Sequence, residues 1–380
     1  MGQPVYLDYC ATTPVHTAVR AAMLKTLSED YGNPSSMHWA GRAAAKLTAE
    51  AREEISKGIG CLPDELYFTS GATEADNLAL LGVMRCFKPG KAHLITTSIE
   101  HHAILHAAQH LEREGYAVSY IPVDAQGLVN VGALQAAIRP ETALISVMLV
   151  NNEIGSIQPL AEIGRIAHQH RILLHTDAVQ GLGLLDINVD ALQVDLLSLS
   201  GHKIYGPKGI GALYVRSGVQ INPLFYGGTQ EKALRPGTEN IPGIVGLGMA
   251  VHHTSEFKND ERPRLQNLRN YLISKLEIII PGVIINGPST AVSPHVLSAS
   301  FPGANGEMML MRLSMAGIAV SMGSACTSKS IEPSHVLTSM GLPREQIEGT
   351  LRISFGYPTT LSDVDEFLDG IKAIYPLTLQ

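Results

Sequence analysis

Lys203 closes the run Ser198-Leu199-Ser200-Gly201-His202-Lys203, just after the apolar stretch Val194 to Leu199, which reads as a buried strand. Open α/β sheets seat ligands beyond the carboxyl ends of their strands. A lysine drawn partly out of water at such a place has its pKa lowered toward the free amine that forms Schiff bases. Most lysines are solvated surface residues, so the reading depends on the neighbouring strand ends. The strand ending at Thr69 delivers Ser70-Gly71-Ala72-Thr73-Glu74 into a helix, where unpaired N–H groups, a hydroxyl and the helix dipole make an anion seat. The same residues are also an ordinary helix cap. Arg171–His175 runs into Thr176-Asp177-Ala178-Val179-Gln180 and so brings a carboxylate to a third strand end. Thr97 leads to Glu100-His101-His102, and Ala143–Val150 leads to Asn151-Asn152-Glu153. An anion seat, a Schiff-base amine, an acid for a ring nitrogen and a flat group for stacking are the four demands of pyridoxal phosphate. Each has a candidate here.

The elements that position these residues read as alternating short apolar runs and longer helical stretches. Strands are expected at Glu65–Thr69, Ala92–Thr97, Ala143–Val150, Arg171–His175, Val194–Ser200 and Gly211–Val215. Helices are expected at Gly71–Arg85, His102–Glu114 and Leu160–His170. This alternation predicts an α/β fold with a mostly parallel sheet, of the seven-stranded type, flanked by helices. After the charged stretch Glu256 to Arg264, a helix from Leu265 to Ile280, short strands near Val283, Val296, Ile318 and Leu351, and helices near Met308 and Val364 predict a smaller C-terminal α+β domain. The expected division is a large cofactor-binding domain over residues 16–257 and a small domain of residues 1–15 and 258–380.

With 380 residues the chain exceeds the size at which one core stops growing, consistent with two domains. Its charge of −7 gives no general field for nucleic acid or an anionic membrane, and no apolar run approaches the ~20 residues needed to span a bilayer. A cytoplasmic setting without a leader is the expectation. The four cysteines, Cys10, Cys61, Cys86 and Cys326, are scattered without Cys-x-x-Cys spacing, so neither a disulfide framework nor a zinc or redox motif is expected. Neither of the glycine-rich nucleotide motifs occurs after a strand.

The runs Leu7-Asp8-Tyr9, Thr12-Thr13-Pro14, Gly32-Asn33-Pro34-Ser35-Ser36, Thr69 to Glu74, Val150 to Gly155, Ser200 to Gly209, Arg235-Pro236-Gly237-Thr238-Glu239-Asn240, Ser324-Ala325-Cys326 and Glu332-Pro333-Ser334-His335 occur in an order and spacing that closely resemble cysteine desulfurases of the NifS/IscS type. These belong to the class V aminotransferases of pyridoxal-phosphate fold type I, and the resemblance covers nearly the whole chain. It implies that Lys203 is the Schiff-base lysine, that Asp177 pairs with the pyridine nitrogen, that Gln180 reaches the phenolic oxygen and that His101 stacks on the ring. It assigns Ala72, Thr73, Ser200 and His202 to the phosphate end, and Asn33, Asn152 and Arg352 to the substrate, with Asn152 also beside the cofactor. Thr238 matches the position that reaches the neighbouring subunit's phosphate, which implies a homodimer.

Cys326 lies in Ser321 to Ser330, a run of small and polar residues suited to an exposed thiolate, with Lys329 nearby to favour ionisation. Cys61 and Cys86 read as packing residues. By the resemblance, Cys326 attacks the sulfur of L-cysteine, keeps it as a persulfide and passes it to an acceptor protein, while alanine leaves; His101 is the acid or base for the substrate thiol. The acceptor stays open among cluster assembly, tRNA thiolation and DNA phosphorothioation, since the chain stops soon after its last helix. A selenocysteine lyase or an aminotransferase is an alternative on the same fold. A metal-binding or regulatory protein is another, because His102, His106 and His110 repeat at i, i+4 beside Glu114. Cys10, where the family commonly has no thiol, is a second candidate for a reactive sulfur near the site.

Overall fold

The computed structural model describes residues 4–323 and 333–379. The first strand, β1 (Val5–Tyr6), stands apart from the large sheet, which consists of β2 (Leu66–Thr69), β3 (His93–Thr97), β4 (Ala117–Ile121), β5 (Thr142–Ser146), β6 (Leu173–Asp177), β7 (Leu196–Ser200) and β8 (Gly211–Val215). Their order is β2-β8-β7-β6-β5-β3-β4. Pairing is parallel from β7 through to β4, and β8 alone runs opposite to its neighbours β7 and β2. The expected mostly parallel sheet is therefore present, with β4 as an edge strand that the sequence reading did not include.

Helices cover the sheet because their apolar residues demand it. Helix Ala72–Met84 is buried on nearly every side from Ala75 onward. Helix His102–Arg113 outside it is amphipathic and buries Ala103, Ile104, Ala107, Ala108 and Leu111, the spacing of one helical face. Strand β6 ends two residues later than expected, so His175 and Asp177 both belong to it and point to the same face.

A second group of apolar residues gathers Val5 and Leu7 with Leu265, Leu272, Phe301, Leu351 and Phe367. It surrounds the sheet of β9 (Ile284–Asn286), β10 (Val296–Ser300) and β12 (Thr350–Ser354), while β11 (Ile318–Ala319) pairs with β1. The charged stretch Glu256 to Arg264, expected to separate two elements, is instead the middle of one 39-residue helix, Ile241–Ile279, with Pro263 inside it. Ile244, Leu247 and Val251 anchor one end in the large core, and Leu265, Leu272 and Leu276 anchor the other in the small one. A segment that is polar all round remains helical when it bridges two packed bodies. Among the described residues no helix is long and apolar enough to cross a membrane.

Candidate active site

The carboxyl ends of β2, β6 and β7, together with the segments that follow β3 and β5, open onto one cavity of about 460 Å³ lined by Ala72, Thr73, His101, Asn152, Asp177, Gln180, Ser200, His202, Lys203 and Arg352. Lys203 ends the short turn Gly201–Lys203 after β7. Its Nζ donates to the carbonyl oxygens of Cys10 and, at 2.9 Å, Ala11. Both carbonyls belong to the N-terminal segment, which Thr13 ties down: its Oγ1 donates to His202 O at 3.0 Å and accepts from the Tyr205 N–H at 2.8 Å.

Asp177 is buried, and its Oδ1 accepts from the Val179 N–H at 2.9 Å. Burial raises its pKa to about 6, against the opposing effects of that N–H and of Lys203. Neighbouring Gln180 donates from Nε2 to Cys10 O at 3.1 Å. His101 caps helix His102–Arg113 through Nδ1, which accepts from the Ala103 N–H at 3.1 Å. Burial, then the Lys203 charge, pushes its pKa down to about 4. The ring is thus neutral near pH 7, and with Nδ1 used as an acceptor its proton sits on Nε2. Burial likewise lowers His202 to about 4.

At the anion end, Gly71 precedes Ala72 at the start of helix Ala72–Met84, where the first N–H groups have no intrahelical acceptor. A Cβ added at Gly71 or at Gly209, both of which line the cavity, would meet only open space. Glu74 fixes this turn: its Oε2 accepts from the Ser70 N–H at 2.8 Å, and its Oε1 accepts from Arg235 Nε at 2.8 Å. At the opposite end, Arg352 of β12 is buried; it donates from Nη2 to Asp8 Oδ1 at 2.8 Å and from Nη1 to Asn152 O at 3.0 Å, and among the described residues its Nε has no hydrogen-bond partner.

Two expected site residues lie outside this lining. Asn33 is exposed, with Oδ1 accepting from the Ser35 N–H, and Thr238 is exposed in another loop. Cys326 falls outside the described residues. The lining also includes Thr12, Met148 and Lys208, which the sequence reading did not single out; the turn Gly206-Pro207-Lys208-Gly209 after the lysine strand was the available signal for Lys208. Cys10 lines the cavity too, and burial raises the pKa of its thiol, which opposes reactivity. Cys86, expected as a packing residue, is exposed, because it lies just beyond the end of helix Ala72–Met84. His110 lies 3.1 Å from Glu114 while His102 meets His106 and His335 edge-on, and among the described residues no group of three or more such side chains converges to hold a metal ion.

The chain belongs to the class-V aminotransferase family, whose profile matches residues 5–367. Within it, the chain is 46% identical over 374 residues to a protein named cysteine desulfurase IscS from Dictyoglomus turgidum, covering 98% of this chain and 95% of that one. Among solved structures it is similar to a NifS-like protein, with a TM-score of 0.93 and 39% identity over 99% of this chain and all of the other. It is also similar to SspA solved in complex with cysteine, with a TM-score of 0.82 and 39% identity over 92% of this chain and 98% of that chain.

Proposed function

We propose that the chain is a cysteine desulfurase that uses pyridoxal 5'-phosphate to convert L-cysteine into L-alanine and leaves the sulfur as a persulfide on Cys326. The observation that carries this reading is the convergence of Lys203, Asp177, His101 and Arg352 on one cavity. The donor set suits the cofactor. The open cradle at Gly71 and Gly209 faces N–H groups suited to a phosphate, and the buried Asp177 carboxylate wants a cationic partner such as a protonated pyridine nitrogen. When bound, the cofactor supplies an electron sink for charge developing at the substrate Cα.

The chain's own residues do the rest. Lys203 Nζ is the base that takes the Cα proton and later returns a proton to the carbon skeleton. Arg352, which lines the cavity, receives the substrate carboxylate and so fixes which end of the amino acid faces Lys203. His101, neutral with its proton on Nε2, covers the cavity as a flat donor; this favours the acid rather than the base among the two roles expected of it. The Cys326 thiolate attacks the substrate sulfur, the C–S bond breaks with its electron pair staying on the carbon skeleton, and protonation there completes alanine. L-Cysteine and a protein thiol thus give L-alanine and a protein persulfide, with no external oxidant.

The exposed position of Thr238, outside the cavity of its own chain, supports a homodimer with shared sites, as does the exposure of Met37, Trp39 and Tyr226. A cytoplasmic enzyme with a small domain of residues 1–15 and 258–380, and a sulfur-accepting protein as partner, completes the reading. The test is incubation of the purified protein with L-cysteine: alanine and transferable sulfur are expected in equal amounts. A protein that holds no pyridoxal phosphate and forms no alanine refutes the reading.

A further inference from the structure

His295, in the segment leading into β10, reaches the cavity wall from the other sheet. Its Nε2 lies 3.2 Å from Gln180 Oε1, and its Nδ1 lies 2.7 Å from Ser293 Oγ. All three residues are buried. The direction of each bond follows from the far end of the chain. Cys10 O can only accept, so the Gln180 amide turns its NH2 edge toward Cys10, the 3.1 Å contact, and its oxygen toward His295. An amide oxygen also only accepts, so His295 Nε2 must carry the proton. A neutral ring then leaves Nδ1 as the acceptor for the Ser293 hydroxyl. Neutrality is enforced by burial and by the nearby Arg352 and Lys203 charges, which hold the His295 pKa down to about 3.

We propose that His295 is a positioning residue that locks the Gln180 amide so that N–H, and not C=O, faces the cofactor cavity. Without the Nε2–H donor, the Cys10 carbonyl alone would hold the amide, and a flip that presents its oxygen to an incoming acceptor, replacing an attraction with a repulsion, would become easier. This rests on the desulfurase reading only in that the bound group offers an acceptor beside Gln180, which for pyridoxal phosphate is its phenolic oxygen.

The test combines a spectroscopic and an equilibrium readout on the holoenzyme. Nitrogen-15 spectra of histidine-labelled protein should show His295 as a neutral ring protonated on Nε2; a proton on Nδ1, or a charged ring near pH 7, overturns the proposal. Retention of pyridoxal phosphate, followed by its absorbance, should weaken roughly three- to tenfold in His295→Leu and in Gln180→Leu. The double variant should be no weaker than the worse single one, since both act through one amide. Losses that multiply in the double variant, or no loss in His295→Leu, overturn it. Should His295→Leu fail to fold, His295→Phe serves in its place, with the same weakening of cofactor retention expected and undiminished retention counting against the proposal. A wild-type protein that binds no pyridoxal phosphate defeats the functional reading instead, and the nitrogen-15 result still decides the bond directions.

Discussion

Lys203 Nζ lies 2.9 Å from the carbonyl oxygen of Ala11, so the amine at the end of β7 is held by a segment that begins in the small sheet's neighbourhood, where β1 pairs with β11. A lysine gripped by two carbonyls is oriented before any ligand arrives, and the same carbonyl of Cys10 also receives Gln180. The N-terminal segment therefore sets the position of two site residues at once.

Lys203→Ala should abolish covalent retention of pyridoxal phosphate. Borohydride treatment followed by intact-mass analysis should add the cofactor mass to the wild type and not to the variant. Equal labelling of both would place the Schiff base on a different lysine, with Lys208, also in the lining, as the first alternative.

Cys326→Ala should keep the cofactor absorbance and lose alanine formation from cysteine by several orders of magnitude, as removal of a nucleophile does. Alanine release, quantified by amino-acid analysis, is the readout. Undiminished turnover would mean that sulfur leaves without a protein persulfide on Cys326, and the buried Cys10 would then have to be tested by the same substitution.

Much of this site was legible before folding because strand ends in an open parallel sheet share one side, so Ser70-to-Glu74, Asp177 and Lys203 had to meet once their strands were recognised. Strand β4 was missed because Ala117 to Tyr120 are half-exposed at a sheet edge and form no strong apolar run. The 39-residue helix was missed because local charge outweighed anchoring at its two ends, a tertiary property. The link from His295 to Gln180 spans 115 residues, and no local pattern carries it.

Arg352→Lys should raise KM for L-cysteine roughly 10- to 100-fold while leaving cofactor content intact. The lysine keeps the charge but loses the planar fork, and a hydrogen bond to a charged group is worth about 1.5–3 kcal/mol. Steady-state kinetics with a parallel cofactor assay separates this from misfolding. A fall in kcat at constant KM would assign Arg352 to the chemical step rather than to carboxylate binding.

Behind the cavity, Glu100 and Asp76 are buried near Asp177, and among the described residues Glu100 Oε2 and Asp76 Oδ1 have no hydrogen-bond partner. Burial raises Glu100 to about 8, opposed by the Thr97 hydroxyl and the Met148 N–H that bond its other oxygen. The native state thus keeps a proton on Glu100 that the unfolded chain, with a carboxyl of ordinary pKa 4.5, gives up. Between those two values the folded form binds more protons, so this residue's contribution is full below pH 4.5 and is lost as the pH rises toward about 8. Glu100→Gln holds a neutral amide at every pH and removes that slope. Between pH 5 and pH 8, denaturant unfolding should therefore show the wild type losing about 3.5 kcal/mol of stability relative to the variant. If wild type and variant change in parallel across this range, Glu100 is ionised in the native state and the three carboxylates share their charge differently.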